Sequence, residues 1–299
     1  MSLKEYLAEL SDLSKPLVVA ELLNLSDLSS EELELVIEAW TAIPLGRRQQ
    51  VIDQLIILAE DNFDFSFNGI FRVCLYDPDV TMRIKAIEGL WDCEDCFIIS
   101  PLIEVLENDS QESVRAAAAT ALGKFALLAE LGKIRSHHAM KIKDALLGVI
   151  SDEGQAVEVR QRAIEAISPI SIPEVEMIIQ EAYQSQNPKL HVSALYAMGC
   201  NCNPLWLPIL LKELNSDIPE MRFEAARACG ELGRKEALPH IVNLVRDGDI
   251  QVQLAAIETL GKIGGDEAKQ ALHECSRDSD EYVREVAKVA LDELELEDD

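Results

Sequence analysis

The sequence predicts an all-α protein, a right-handed solenoid (superhelix) of stacked helical hairpins. Three observations carry that prediction: one ten-residue element recurs seven times, every copy carries small side chains at helical spacing, and every copy but the last is followed by a second apolar-periodic segment. The copies are MRIKAIEGLW (82–91), VRAAAATALG (114–123), VRQRAIEAIS (159–168), LHVSALYAMG (190–199), MRFEAARACG (221–230), VQLAAIETLG (252–261) and VREVAKVALD (283–292). The last four intervals are all 31 residues, a regularity that a compact globular domain has no reason to produce.

Residues 1–70 hold no clear copy, but LKEYLAEL, PLVVAELLNL, SSEELELVIEAW and RRQQVIDQLIILAE have apolar residues at helical spacing. They are expected to form degenerate or capping repeats, since the first unit of a solenoid needs a polar outer face. Residues 71–299 are read as the regular repeats, continuous with that first segment in one solenoid.

Each copy is a first helix. Four positions after its leading apolar residue stand Ala86, Ala118, Ala163, Ala194, Ala225, Ala256 and Ala287, and three further on Gly89, Ala121, Ala166, Ala197, Ala228, Thr259 and Ala290. This ridge of small side chains lets a neighbouring helix approach closely. Most copies close on glycine, as a helix C-terminus tends to.

The second helices are SPLIEVLEND, KDALLGVISDE, EVEMIIQEAY, LWLPILLKEL, EALPHIVNLV and DEAKQALHEC, and Pro101, Pro208 and Pro239 fall near their starts, where a missing N–H is tolerated. Asp77, Asp109, Asp247 and Asp278 recur in the loops between repeats.

One interval breaks the period. Arg115 to Arg160 spans 45 residues, an insertion of 14 that lengthens both helices or projects a hairpin from the edge. It is basic, with Lys124, Lys133, Arg135, Lys141 and Lys143 against Glu130, and His137 and His138 near the tip. It either folds onto the acidic body of its own solenoid or meets an acidic partner or phosphate. The finish, LDELELEDD, is an acidic cap or a docking tail.

The pattern VRxxAxxALG, a short turn and a Pro-containing second helix, repeated near 31 residues, resembles the short HEAT repeats of the phycobilisome-lyase type, over roughly Phe71 to Leu296. The resemblance implies that Arg83, Arg115, Arg160, Arg222 and Arg284 form a structural ladder with the loop aspartates. It also admits a bilin-lyase-like or other small-molecule and cofactor-handling role, although no transferable site residue supports one.

Composition narrows the functions. With 54 acidic against 27 basic residues the formal charge is -27, which repels phosphate backbones and disfavours general nucleic-acid binding, including that of HEAT-like alkylpurine DNA glycosylases, or anionic-membrane binding. No apolar run approaches a membrane span, the first residues lack a signal-peptide pattern, and seven scattered cysteines make no disulfide framework, so a cytoplasmic location is expected.

WDCEDCF sets Cys93 and Cys96 at the spacing of zinc and redox sites. In register Cys93 takes an apolar slot, the one occupied by Leu232 and Ile263, and the second close pair, Cys200 and Cys202, lies three repeats on. The thiols are therefore read as structural, and no metal site is expected. Deoxyhypusine hydroxylase, a HEAT-repeat family, binds iron through His-Glu pairs in its first helices. The corresponding positions here are Ile84, Ala116, Gln161, Val192, Phe223, Leu254 and Glu285, with no histidine.

No P-loop, nucleophile-elbow or H-E-x-x-H motif occurs. The expectation is a chain with no catalytic residues and no cofactor, not an enzyme: a scaffold or adaptor binding a protein partner, as a peptide or helix, in its concave groove. The second helices supply the candidate contacts, Val105, Ile150, Glu181, Lys212, Asn243 and Glu274 in one column, with Arg246 and Arg277 one turn later. Val105 and Ile150 are either an apolar end of that groove or core edge. Lys133, Arg135, Lys141 and Lys143 of the insertion complete the set.

Overall fold

Wherever apolar residues recur at helical spacing the chain is helical, and in the computed structural model no strand occurs among the described residues, which are 2–62 and 64–297. Asp298 and Asp299, the last of the acidic finish, lie outside them. Two compact units result, Met1–Ala163 and Ile164–Asp299, divided within the helix Val157–Ile167.

The first unit contains α1 (Leu3–Leu10), α2 (Ser30–Trp40), α3 (Leu45–Asp61), α4 (Asn68–Cys74), α5 (Val80–Gly89), α6 (Ile99–Asn108), α7 (Glu112–Glu130), α8 (Ser136–Ser151) and the start of α9 (Val157–Ile167). First helices pack on first helices, α3 on α5 and α5 on α7, while α2 packs on α4 and α6 on α8. Ser29 caps α2 reciprocally: its hydroxyl accepts from the Glu32 N–H at 3.3 Å and its own N–H donates to the Glu32 carboxylate at 2.9 Å.

The second unit contains α10 (Pro173–Gln184), α11 (Pro188–Asn201), α12 (Leu207–Glu213), α13 (Pro219–Leu232), α14 (Leu238–Leu244), α15 (Ile250–Ile263), α16 (Asp266–Cys275) and α17 (Glu281–Glu297). The small-residue ridge runs through α11, α13, α15 and α17, where Ala194, Ala225, Ala256 and Ala287 are all fully buried. On α17 the exposed Glu285 and Lys288 are paired at 2.7 Å where α15 buries Leu254 and Ile257, so these two positions are polar at the last helix.

The glycines that close the copies differ from expectation. Gly199, Gly230 and Gly261 lie inside α11, α13 and α15, not at their ends. A Cβ on Gly199 would stand 2.9 Å from the Ala228 Cα, and one on Gly261 would stand 3.0 Å from the Ala290 Cβ. They allow close approach of the next helix. Gly233, three residues beyond the last copy position of α13, has the positive φ of 61° that ends a helix.

The arginine column forms a ladder within each unit. Arg83 donates to both Asp109 oxygens, at 2.7 and 3.0 Å, and to the Asp77 carbonyl at 2.8 Å, tying the loop before its repeat to the loop after it. Arg222 does the same with Asp247, at 2.8 and 2.7 Å, and the Ser216 carbonyl at 2.7 Å. Arg115 uses Gln155 instead, and among the described residues Arg284 takes the Asp278 and Ser279 carbonyls and no carboxylate.

The ladder reaches one repeat further than the copies show. Arg48 on α3 lies 3.0 Å from Asp77, which also accepts from the Trp40 indole at 2.9 Å. So α3 and α4 are a degenerate repeat whose arginine survives although its alanine column, at Val51, does not.

The Arg222 guanidinium holds Asp247 below its ordinary value of 3.8. A lowered folded value contributes stability that is present above the unfolded value and lost as pH falls through the folded one. Comparing wild type with Asp247→Asn by urea unfolding, the stability difference is expected to stay constant from about pH 7 to 5 and to shrink below about pH 4. A difference that is flat down to pH 2 would show that the pair contributes nothing through the charge.

Candidate functional site

The second-helix face of the first unit carries a groove. One cavity of about 430 Å³ is lined by Ile37, Trp40 and Thr41 at α2, Arg72 and Val73 on α4, then Tyr76, Asp77 and Pro101. A second of about 370 Å³ shares Tyr76 and Asp77 and continues past Glu104, Val105 and Asn108 on α6. Ile37 and Tyr76 are each 55% exposed, large apolar surfaces with no covering element. Arg72 stands over the exposed Phe97 ring at 5.5 Å, and the Tyr76 hydroxyl donates to Glu104 at 2.8 Å. Partial burial, with that carboxylate beside it, pushes Tyr76 up to about 12, so its hydroxyl stays a neutral donor across physiological pH.

Of this groove's lining, sequence reasoning placed Val105 and, one turn later, Asn108 on the second-helix face, and named Asp77 and Pro101 only as repeat markers. Of the two readings open for Val105 and Ile150, groove end or core edge, their burial at 4% and 7% exposure favours core edge. Val105 lines the groove floor only. Arg72, Val73 and Tyr76 were missed because they precede the first clear copy, at Met82, so no first helix before them set their register. Asp77 supplies it: stepping back 32 residues from Asp109 to Asp77 also carries Glu104, Val105 and Asn108 onto Arg72, Val73 and Tyr76.

The insertion lengthens both its helices, α7 to 19 residues and α8 to 16, joined at Leu131–Arg135. The turn is a Schellman closure. The Lys133 N–H donates to the Leu128 carbonyl at 2.8 Å and that of Gly132 to Ala129 at 3.0 Å, with Gly132 at φ 67°. Lys133, Arg135 and Lys141 are exposed and make no ion pair among the described residues, while half-buried Lys143 is 3.7 Å from Asp144. Leu127, Leu131 and Met140 are exposed beside them. The tip is both basic and apolar.

In the second unit the predicted column is exposed at Glu181, Lys212, Asn243 and Glu274, with Arg246 and Arg277 also exposed. Lys212 donates to the Tyr183 hydroxyl and Glu213, each at 3.0 Å, which hold it above its ordinary value. Arg246 meets Glu274 at 3.4 Å. Much of this column is thus satisfied within its own unit.

Cys93 is buried and Cys96 half-buried; Cys200 is half-buried and Cys202 exposed. Burial raises the thiols of Cys93, Cys200 and Cys202 above their ordinary value, away from the reactive thiolate.

Residues 207–292 match the family model described as HEAT repeats, and residues 98–129 the one described as HEAT repeat. The chain carries HEAT repeats. By sequence these HEAT repeats are similar to deoxyhypusine hydroxylase of Candida albicans, 23% identical over 240 residues, covering 62% of this chain and 76% of that protein. By structure they are similar to the complex of CpcE and CpcF of phycocyanin lyase from Nostoc sp. PCC7120, at 17% identity and a TM-score of 0.52, covering 76% of this chain and 94% of that one. Kap95p, solved bound to RanGDP, gives a TM-score of 0.53 at 12% identity, covering 97% of this chain and 45% of that one. At these identities the solved structures show the fold, an α-solenoid of short HEAT-like hairpins.

The comparisons overturn one expectation. Deoxyhypusine hydroxylase is an enzyme, so the reading of this chain as lacking activity is not kept. The hydroxylase's iron donors do not fit it, however: the first helices hold no His-Glu pair, and among the described residues no three His, Cys, Asp or Glu side chains are grouped to hold a metal ion. Among the described residues, likewise, no helix is long and apolar enough to cross a membrane.

Proposed function

We propose that the chain is a cytoplasmic HEAT-repeat scaffold or adaptor that binds a protein segment, a peptide or helix, on the second-helix face of its first unit. The groove between α2, α4 and α6 is the seat, and the α7–α8 tip is a second, basic contact. The observation that supports this is the continuity of the two cavities through Tyr76, with exposed Ile37 and Tyr76 offering an aromatic and an aliphatic anchor beside the charges of Arg72 and Glu104. Peptides that lie in such grooves gain affinity from a few apolar anchors and register from flanking charges. The exposed column of the second unit, Glu181, Lys212, Asn243, Glu274, Arg246 and Arg277, is the further proposed contact there.

A second reading uses the same groove for a small molecule, as the lyase likeness suggests, since its cavities are within the ~300–1,000 Å³ of small-ligand sites. Affinity capture from the source separates the two. Immobilised wild type is expected to retain a stoichiometric protein that Tyr76→Ala loses by tenfold or more, an anchor's worth of about 2 kcal/mol. Charge reversal of Lys133, Arg135 and Lys141 is expected to weaken capture without lowering thermal stability. A protein retained equally by Tyr76→Ala would sink the groove as its seat, and coloured material purifying with wild type alone would favour the small molecule.

A further inference from the structure

A third cavity shares no lining residue with the groove. It measures about 500 Å³ and lies between the C-terminal turns of α3, the loop leading into α4 and the end of α5. Its apolar wall is Ile56, Phe65, Phe67 and Trp91, with Phe65 stacked on Phe67 at a centroid distance of 6.4 Å. Its rim holds three carboxylates, Glu60, Glu88 and Asp92, and no basic residue lines it.

The local sequence explains why the cavity is open. Helix α5 stops at Gly89, whereas α13 continues two residues past the equivalent Ala228–Gly230 stretch to Leu232. Trp91 therefore stands outside the helix, 58% exposed, at the position where the other copies carry glycine, serine or aspartate. Nearby Lys124 donates from Nζ to the Trp91 carbonyl at 2.8 Å, so this cation is engaged with a backbone oxygen and not with the rim carboxylates. Among the described residues none of the three rim carboxylates makes an ion pair or a side-chain hydrogen bond, and all three are exposed.

Aromatic faces carry negative potential and attract a cation within about 6 Å, and carboxylates at the mouth add to that attraction. A neutral apolar ligand would satisfy the rings but leave three carboxylates to be partly desolvated without a partner. The geometry points to a binding site for an organic ammonium cation on an apolar stem, with exposed Trp91 and half-buried Phe65, backed by buried Phe67, as the aromatic wall and Glu60, Glu88 and Asp92 as its counter-charge. The cavity is larger than an ammonium group and leaves room for the stem. The chain's surplus of acidic residues favours such ligands at long range. Two sources share this chemistry, a free small amine and a lysine side chain on a protein.

The test is ligand-observed NMR on the full chain with matched pairs. One arm compares choline with its uncharged isostere 3,3-dimethylbutan-1-ol. The other compares a tripeptide containing trimethyllysine with the same tripeptide containing norleucine. The cation is expected to bind about tenfold more tightly than its neutral match in at least one arm, and the tighter arm identifies the source. Trp91→Leu, which keeps apolar surface but removes the ring, is expected to weaken the cation by about fivefold or more and leave the neutral match unchanged. Glu88→Gln is expected to weaken the cation alone, with a stronger salt dependence lost. Equal binding of cation and neutral match, or binding of neither in both arms, overturns the assignment. Because Trp91, Glu88 and the rim are exposed, these variants are expected to keep wild-type unfolding midpoints.

Discussion

Replacing Asp77 with alanine is expected to destabilise the protein by about 3–5 kcal/mol, the cost of leaving a buried charge without its partner. Asp77 and Arg48 are paired with side chains 0% and 8% exposed, and the same carboxylate accepts from the Trp40 indole and from the Asp79 N–H. Its loss leaves the Arg48 guanidinium with only the Thr41 and Ile43 carbonyls and no counter-charge, and an indole and a backbone donor without that acceptor. The comparison is Glu231→Ala, which breaks a 2.6 Å pair with Lys262 that is about half exposed on both sides, and which is expected to cost no more than about 1 kcal/mol. Urea unfolding of both variants checks the contrast. Equal losses would mean that the Arg48 pair adds no more than a surface pair, and that α3 is not held to the repeats by its ladder.

The second large effect is one of sign. Glycine to alanine inside a helix ordinarily gains about 0.5–1 kcal/mol through helix propensity and a less free unfolded chain. Gly148→Ala in α8 is expected to show that gain, because the glycine is exposed and a Cβ there has nothing within 4 Å. Gly199→Ala in α11 is expected to lose about 1–3 kcal/mol instead. Its Cβ would lie 2.9 Å from the Ala228 Cα and 3.0 Å from the Ala228 Cβ, and backbone in a packed helix cannot swing aside as a side-chain tip can. Overpacking thus outweighs propensity at one site and is absent at the other. Paired unfolding curves decide it, and stabilisation by both substitutions would show that the helices slide apart at little cost.

The candidate groove was only partly legible. The register of the second helices was visible from Ser100 onward, because proline, aspartate and the alanine column repeat there together. Before residue 80 the alanine column is lost, and with it the alignment that would have pointed to Arg72 and Tyr76, although Asp77 kept the spacing. The basic insertion was legible for the opposite reason: a break in a 31-residue period is conspicuous, and its charge departs from that of the chain. Where its tip lies was not legible, since a hairpin that folds back and one that projects have the same sequence pattern.

What the sequence by itself determined is the repeat. Spacing of apolar and small residues dictates helices and their stacking order, since a small-residue ridge has one favourable use, the close approach of another helix. The arginine and aspartate columns followed from the same spacing. Only the tertiary structure decided which residues of those helices face outward at a given place. Val105 and Ile150 went to the core, Tyr76 and Ile37 were left at the surface, and Trp91 was turned to the wall of a cavity instead of ending a helix. Helical periodicity specifies a direction around one axis, but exposure depends on how far a neighbouring helix extends, and that is set by residues tens of positions away.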